Sequence, residues 1–240
     1  MGFFDFLDRQ GDRDAGFRPL DPGTLTSTRI VHSLLEVPVA DRNLAWSHQL
    51  MAHVADAAFF TRAPSIIRGT GTFPYFALHS TPGEQPFPTH VLHHLKDDVL
   101  LEHGLGAVIN PRGEDADWAF SYGDILHFHL YGAFYPPQAG AAPGRDPGLP
   151  SEARLPREAR AVLRGFLVRL GVAAPRFRFG ARDHAGPGSL ELVFAFTPQA
   201  FRSLEDFHFA MSNLSWFLPK NYSYTVAGNA ARTEPGFEPL

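Results

Sequence analysis

The chain has 240 residues, with 21 basic and 25 acidic side chains, 44% hydrophobic residues and no cysteine. The near balance of charge disfavours a nucleic-acid binder, which normally carries a basic stripe. Without cysteine there is no disulfide framework, thiolate nucleophile or cysteine-ligated zinc, and we expect a cytoplasmic location. No apolar run reaches the roughly 20 residues that a transmembrane helix needs, so no membrane span is expected.

The first 25 residues combine an amphipathic start with a charged stretch that contains Gly and Pro. One side of a short predicted helix is formed by Phe3, Phe4, Phe6 and Leu7. We interpret this helix as docking on the core or on a partner chain. A membrane-surface anchor is the alternative, but the segment lacks the polar face rich in Lys and Arg that such anchors use.

Residues 41–110 are predicted to follow the order helix, strand, strand, helix, strand. Asp41 and Thr89 are the expected N-caps of the two helices, and Gly104 is expected to end the second. The predicted bounds are about 41–60 and 91–102 for the helices, and 66–69, 73–79 and 105–110 for the strands.

Residues 118–121 are predicted to form a further strand, whereas residues 124–131 are ambiguous. Apolar residues alternate there with His127, His129 and Tyr131, as in a strand. The preceding Tyr-Gly-Asp is typical of a turn into a helix, and we predict a helix. Residues 136–150 are rich in Pro and Gly, which indicates a flexible linker.

Residues 156–227 are predicted to repeat the order helix, strand, strand, helix, strand. Pro156 begins the first helix and Gly171 ends it, while Ser203 with Asp206 is typical of the cap of the second. We therefore predict an α+β protein built from two similar α-β-β-α-β subdomains, with mainly antiparallel sheets covered by helices.

The predicted organisation follows from these elements and from the linker. It comprises an N-terminal segment 1–25, a first subdomain 26–135, the linker 136–150, a second subdomain 151–229 and a C-terminal tail 230–240.

Histidine is abundant, with 12 residues, several of them in two short clusters. His90 and His94 are four residues apart, so they would share one face of the predicted second helix, a spacing that can chelate a metal ion. His127 and His129 share a face only on a strand, because on a helix they point about 200° apart. Val91 stands where the zinc-protease motif has Glu. Partly buried or solvated histidines are the simpler interpretation, and no cofactor is expected.

A second candidate surface combines arginines and aromatic residues of the second subdomain. Arginine and aromatic side chains are the usual anchors of protein interfaces. Its predicted members are Arg176, Arg178, Arg182, Trp216, Tyr222 and Tyr224.

Two short motifs resemble the SseB family of bacterial proteins over residues 70–135. They are Gly-Leu-Gly-Ala-Val-Ile-Asn-Pro at 104–111 and the preceding Phe-Pro-Tyr-Phe-Ala at 73–77. Small α+β immunity proteins of bacterial competition systems are also similar in composition. Both resemblances imply binding rather than catalysis, and neither identifies catalytic residues in this chain.

We therefore predict a non-enzymatic bacterial protein that binds another protein in an immunity-like, adaptor or regulatory role. Self-association as a homodimer is left open. The alternative is a metal-dependent, hydrolase-like enzyme that uses a histidine cluster. Its candidate ligands are His90, His94, His127 and His129, with Asp or Glu completing the set.

Overall fold

The structure is a computed structural model that describes residues 22–69, 73–83, 89–134, 150–180, 190–228 and 235–240. It contains helices and three sheets, whose strand pairs are mainly antiparallel. The predicted α+β class is confirmed. Across these ranges, no helix combines the length and apolar character needed to cross a membrane.

The described residues divide into two compact units. The first holds the residues up to Leu95 together with Ala107–Ala119, and the second holds Lys96–Gly106 and the residues from Phe120 onwards. These bounds differ from the predicted subdomains 26–135 and 151–229. Most of the predicted linker lies outside the described residues, so the predicted organisation stays a prediction.

The first unit contains a two-stranded sheet and almost all of a four-stranded sheet. β1 pairs antiparallel with β4, and the larger sheet has the order β2-β3-β5-β6. The elements are α1 (Pro22–Leu35), α2 (Leu44–His53), β1 (Ala58–Phe60), β2 (Ile66–Arg68), β3 (Pro74–Leu78), β4 (Thr89–Val91), α3 (Leu92–Leu95), β5 (Gly106–Ile109) and β6 (Trp118–Phe120).

Helix α1 was not predicted, because its buried face is partly polar. Thr24 and Ser27 are buried beside Val31 and Leu35. The hydroxyl of Ser27 lies 3.5 Å from Nδ1 of His53, so helix α2 supplies a polar partner. A helix face of this composition shows little hydrophobic periodicity, so the sequence pattern does not indicate a helix there.

Two predicted helix starts are wrong. Asn43, rather than Asp41, caps α2, since its side chain accepts a hydrogen bond from the Trp46 amide at 3.0 Å. That helix ends at His53, and the residues predicted to complete it instead include β1. At the second predicted start the backbone is extended, because Thr89 begins β4. This strand pairs with β1, about 30 residues earlier in the sequence.

The second unit contains a four-stranded sheet with the order β10-β7-β8-β9. β7 pairs antiparallel with β8 and β10, whereas β8 and β9 are parallel. Its elements are a π-helical turn (Lys96–Leu100), α4 (Leu101–His103), α5 (Tyr122–Tyr131), α6 (Ser151–Arg154), α7 (Arg157–Arg169), β7 (Arg176–Gly180), β8 (Leu190–Ala195), α8 (Leu204–Phe217), β9 (Tyr222–Ala227) and β10 (Glu238–Pro239).

Residues 124–131 are helical, as predicted, and the residues at the start of this helix satisfy its capping requirements. Ser121 and Asp124 form a reciprocal capping box at the start of α5. Gly104 ends α4 in the left-handed conformation, with φ of 65°, as predicted. A Cβ atom at Gly123 would lie 2.0 Å from the carbonyl oxygen of Leu218, so only glycine permits this approach.

The two predicted repeats have comparable strand orders. In β2-β3-β5 and in β7-β8-β9, the second strand in sequence lies between the other two. This agreement is compatible with the predicted duplication, which stays a prediction. The predicted C-terminal tail contains β10, which extends the second sheet beyond the repeated elements.

Candidate functional site

The arginines of the predicted binding surface contact the chain's own C-terminal segment. Arg176 donates a hydrogen bond to the carbonyl oxygen of Phe237. The guanidinium carbon of Arg178 lies 4.8 Å from the centre of the Phe237 ring, a cation–π distance. Both arginines are half-buried, so they help hold the segment that carries β10. Arg182 lies outside the described residues.

The aromatic members of that surface are largely engaged within the second unit. Tyr222 is 8% exposed and donates a hydrogen bond to the Arg154 carbonyl at 2.6 Å. The half-buried Tyr224 donates to the carbonyl of Met211 in α8. Trp216, also half-buried, stacks on Tyr122 with ring centres 6.3 Å apart. These side chains therefore connect the sheet and helices more than they form an open patch.

The predicted placement of His90 and His94 on one helix face is wrong. His90 lies on β4, and the helix that carries His94 begins only at Leu92. His90 packs edge-on against Phe76 with ring centres 5.6 Å apart, whereas His94 is exposed. The spacing of four residues therefore does not place the two imidazoles as an i, i+4 helical pair.

Because α5 is a helix, His127 and His129 point in different directions and have different partners. Nδ1 of His129 lies 3.1 Å from Oδ1 of Asp97, and this imidazole is partly exposed. Nδ1 of the buried His127 lies 3.3 Å from Oδ1 of Asn221. Among the described residues, no three His, Asp or Glu side chains come together as a metal site would require.

A role for Lys96 was not identified from the sequence. The signal that could have drawn attention to it is that lysine is rare in this chain. Lys96 and Lys220 are the two lysines among 21 basic residues. Lys96 lies on the π-helical turn with its side chain 7% exposed, and its ammonium is 2.5 Å from Oδ1 of Asp97. Asp97 therefore joins this lysine to His129 and links the turn to α5. The arrangement holds two helical segments together and orients the His129 ring.

Strand β9 lies at one edge of the second sheet. Within the part of the chain that the structure describes, no strand pairs with its outer side. The other edge is covered by β10, which has two residues and ends in Pro239, a residue that cannot donate to a further strand. Proteins normally protect such edges from pairing with other chains by charged residues, proline or short strands. The six residues of β9 contain neither charge nor proline.

The outward backbone groups of β9 can be assigned from its pairing with β8. The carbonyl of Asn221 accepts a hydrogen bond from the Leu190 amide at 3.1 Å, so it points towards β8. Backbone groups alternate in direction along a strand that pairs on one side. The N–H and C=O of Tyr224 and Val226 therefore point away from β8, where an added strand would bond.

Val226 supplies exposed apolar surface on β9. It is 41% exposed, and its neighbour Thr225 is also exposed. We call the outer backbone of β9, together with the exposed side chains of Thr225 and Val226, the β9 edge.

Comparisons with known proteins returned no match. No family model matches the sequence, and neither a curated protein nor a solved structure matches it. The resemblance to the SseB family therefore stays a prediction that rests on its short motifs.

Proposed function

We propose that this chain is a non-enzymatic protein-binding module that takes up an extended segment of another protein as an added strand along the β9 edge. The open, uncharged edge of β9 is the observation that carries the proposal. An immunity-like, adaptor or regulatory role in a bacterial cytoplasm is the finer proposal. Composition without cysteine supports that location.

Strand addition uses main-chain hydrogen bonds for affinity and side-chain pockets for specificity. The outward N–H and C=O groups of Tyr224 and Val226 supply the main-chain part. Val226 supplies exposed apolar surface beside it. Because the opposite edge of the sheet already holds β10, a partner strand is expected at β9 and not at β7.

The chemistry of β9 selects an uncharged partner segment. Its sequence is Tyr-Ser-Tyr-Thr-Val-Ala, so an added strand would meet no charge on β9. A charged side chain buried against this edge would lose hydration without gaining an ion pair. We therefore expect the partner segment to be extended, neutral, and rich in β-branched or aromatic residues, which pack well on a pleated edge.

The test makes the same substitution, valine to lysine, at two positions that are almost equally exposed. Val226 on the edge is 41% exposed, and Val168 on α7 is 42% exposed. The wild-type chain, Val226→Lys and Val168→Lys serve as immobilised baits for proteins of the source cell. Captured proteins are then purified with the wild-type chain, and amide hydrogen exchange is measured in the complex.

Support requires a partner that binds the wild type and Val168→Lys but is lost with Val226→Lys. It also requires slowed exchange at the amides of Tyr224 and Val226 in the complex. A partner that binds Val226→Lys equally well, or one that protects other amides only, would overturn the proposal. Sedimentation of the purified chain identifies the further outcome in which a second copy occupies the edge.

A further inference from the structure

His127 lies buried in the last part of α5 and contacts the residue that precedes β9. It is 5% exposed, and its Nδ1 is 3.3 Å from Oδ1 of Asn221. The amide nitrogen of Asn221 donates to the hydroxyl of Tyr131 at 3.2 Å. Since that nitrogen is used as a donor, the oxygen faces the imidazole. The neutral ring therefore carries its proton on Nδ1.

The second ring nitrogen of His127 has no hydrogen-bond partner among the described residues. Nε2 is buried, and in the neutral ring it is a lone-pair acceptor. The Tyr131 ring packs against the imidazole with centres 4.5 Å apart. Protonation would create a buried N–H at Nε2, and a buried donor without an acceptor is costly.

The Asp124 carboxylate, whose charge acts on His127, already accepts hydrogen bonds from other groups. Oδ2 of Asp124 accepts hydrogen bonds from the amide and the hydroxyl of Ser121, each at 2.9 Å. Oδ1 of Asp124 lies 3.0 Å from the ammonium of Lys220. Burial lowers the pKa of His127, the Asn221 contact and Asp124 partly offset this, and Lys220 lowers the pKa further.

The other elements around α5 also carry charged groups. Lys96 and Asp97 of the π-helical turn contact Phe128 and His129. Helix α8 meets α5 through its last turn, and its charged and titratable residues near its start are Glu205, Asp206 and His208. Helix α4 carries Glu102 and His103, and the charge of Glu158 on α7 acts on Tyr122 at the start of α5.

We infer that His127 is a proton-binding site that controls the junction between α5 and β9. In the neutral form the imidazole holds Asn221, whose carbonyl also accepts the hydrogen bond from Leu190 of β8. In the protonated form the buried N–H drives the ring towards water and releases Asn221. Acid thus loosens the start of β9. This inference concerns the isolated chain and does not rest on the proposed partner.

The first test needs no variant. The pH titration of the His127 ring is followed by NMR between about pH 7.5 and about pH 5, together with amide exchange along β9. We expect a midpoint below 6.5 and falling protection factors at Tyr222 and Ser223 as the pH falls, where the protection factor corrects for the slower intrinsic exchange in acid. We call this loss of protection the acid-induced exchange. Each unit of pKa depression allows about a tenfold rise in the opening equilibrium. Titration at or above 6.5 with unchanged exchange would refute the inference.

Two variants separate the switch from general acid sensitivity. His127→Gln keeps a polar side chain that cannot titrate, so the acid-induced exchange at the start of β9 should be lost. His129→Gln, two residues away on the same helix and partly exposed, is the matched control and should behave as wild type. Equal acid sensitivity in all three proteins would contradict the inference.

Asn221→Asp provides an independent check should His127→Gln fold poorly. A carboxylate beside Nδ1 favours the imidazolium, so the His127 midpoint should move upward from its wild-type value. The acid-induced exchange of Tyr222 and Ser223 should then shrink over the same pH range. An unchanged His127 midpoint in this variant would show that Asn221 does not hold the ring, and would overturn the inference.

Discussion

Arg42 and Asp117 form a buried ion pair in the first unit. Their NH2 and Oδ1 atoms are 2.8 Å apart, and the two side chains are 9% and 4% exposed. Arg42 also donates to the carbonyls of Leu35 and Val37, just at and beyond the end of α1. Asn110 donates to the other carboxylate oxygen of Asp117 at 2.7 Å. One carboxylate therefore joins α1 to the loop between β5 and β6.

Replacement of Asp117 by Asn should strongly destabilise the chain. Removing one partner of a buried pair leaves the other charge uncompensated, which typically costs about 3–5 kcal/mol. We expect the free energy of unfolding of Asp117→Asn to fall by about 3 kcal/mol in urea denaturation at neutral pH. Asp115→Asn, at an exposed position of the same loop, is the control and should change stability by less than about 0.5 kcal/mol. A similar value for both variants would contradict the role assigned to Asp117.

The contribution of Asp97 should depend on pH. Burial alone would raise the pKa of Asp97, but the hydrogen bond and charge of Lys96, together with His129, outweigh it and hold the pKa below 3.8. A carboxyl group with a lowered folded pKa stabilises the protein above its unfolded pKa, and this stabilisation is lost as the pH falls through the folded pKa. Asp97→Asn should therefore be less stable than wild type at about pH 6, and the difference should shrink as the pH falls towards about 2.

The measurement is urea denaturation of both proteins at the two pH values. Asp98→Asn is the matched control, because Asp98 is the exposed neighbour on the same turn. It should not produce the same pH-dependent difference. A stability loss in Asp97→Asn that is equal at both pH values would mean that packing, and not the charge of Asp97, is responsible.

Two glycine-to-alanine changes on helices should have opposite effects. At Gly123 the added Cβ would lie 2.0 Å from the Leu218 carbonyl oxygen, so the backbone must move. We expect Gly123→Ala to destabilise the chain by about 3 kcal/mol. At Gly165, within α7, the nearest atom is a side-chain nitrogen of Arg169 at 3.6 Å. Gly165→Ala should stabilise by about 0.5–1 kcal/mol. Thermal unfolding measures the stability of both variants. If both substitutions destabilised the chain equally, the close approach of Leu218 to Gly123 would not explain the effect.

Proline substitutions can test the direction of the backbone groups in β9. The outward N–H of Val226 makes no ladder bond with β8, so Val226→Pro should cost less than about 1 kcal/mol. The neighbouring N–H of Thr225 points inward, and Thr225→Pro should cost about 3 kcal/mol. Chemical denaturation compares the two. If Val226→Pro were the more damaging substitution, the assigned outer face of β9 would be reversed.

Local patterns predicted most elements of the second unit. Alternation of the larger Leu192 and Phe194 with Glu191 and Val193 is enough to predict β8, and the Ser203 cap predicts the start of α8. The helix at 124–131 was predictable because Ser121 and Asp124 form a capping box within four residues of chain. These signals act between residues close in sequence, so they operate before any tertiary contact exists.

The first unit was predicted less well because distant contacts decide its elements. Thr24 and Ser27 are buried although their polarity favours exposure. β1 and β4 have three residues each, and they pair across the sequence that contains β2 and β3. No strand of three residues carries enough periodicity to be told from a helix end. The pairing itself selects the strand conformation.

Local patterns in the sequence were sufficient to predict the α+β class, the order of most helices and strands, and a helix for α5. The side chains that remain available for binding depend instead on tertiary contacts. These contacts turn Tyr222 inward, place Phe237 on Arg176 and Arg178, and leave β9 at an open edge among the described strands. The physical reason is that Arg176 and Phe237 are 61 residues apart, and a contact over that separation depends on the assembled sheet, which no local periodicity encodes.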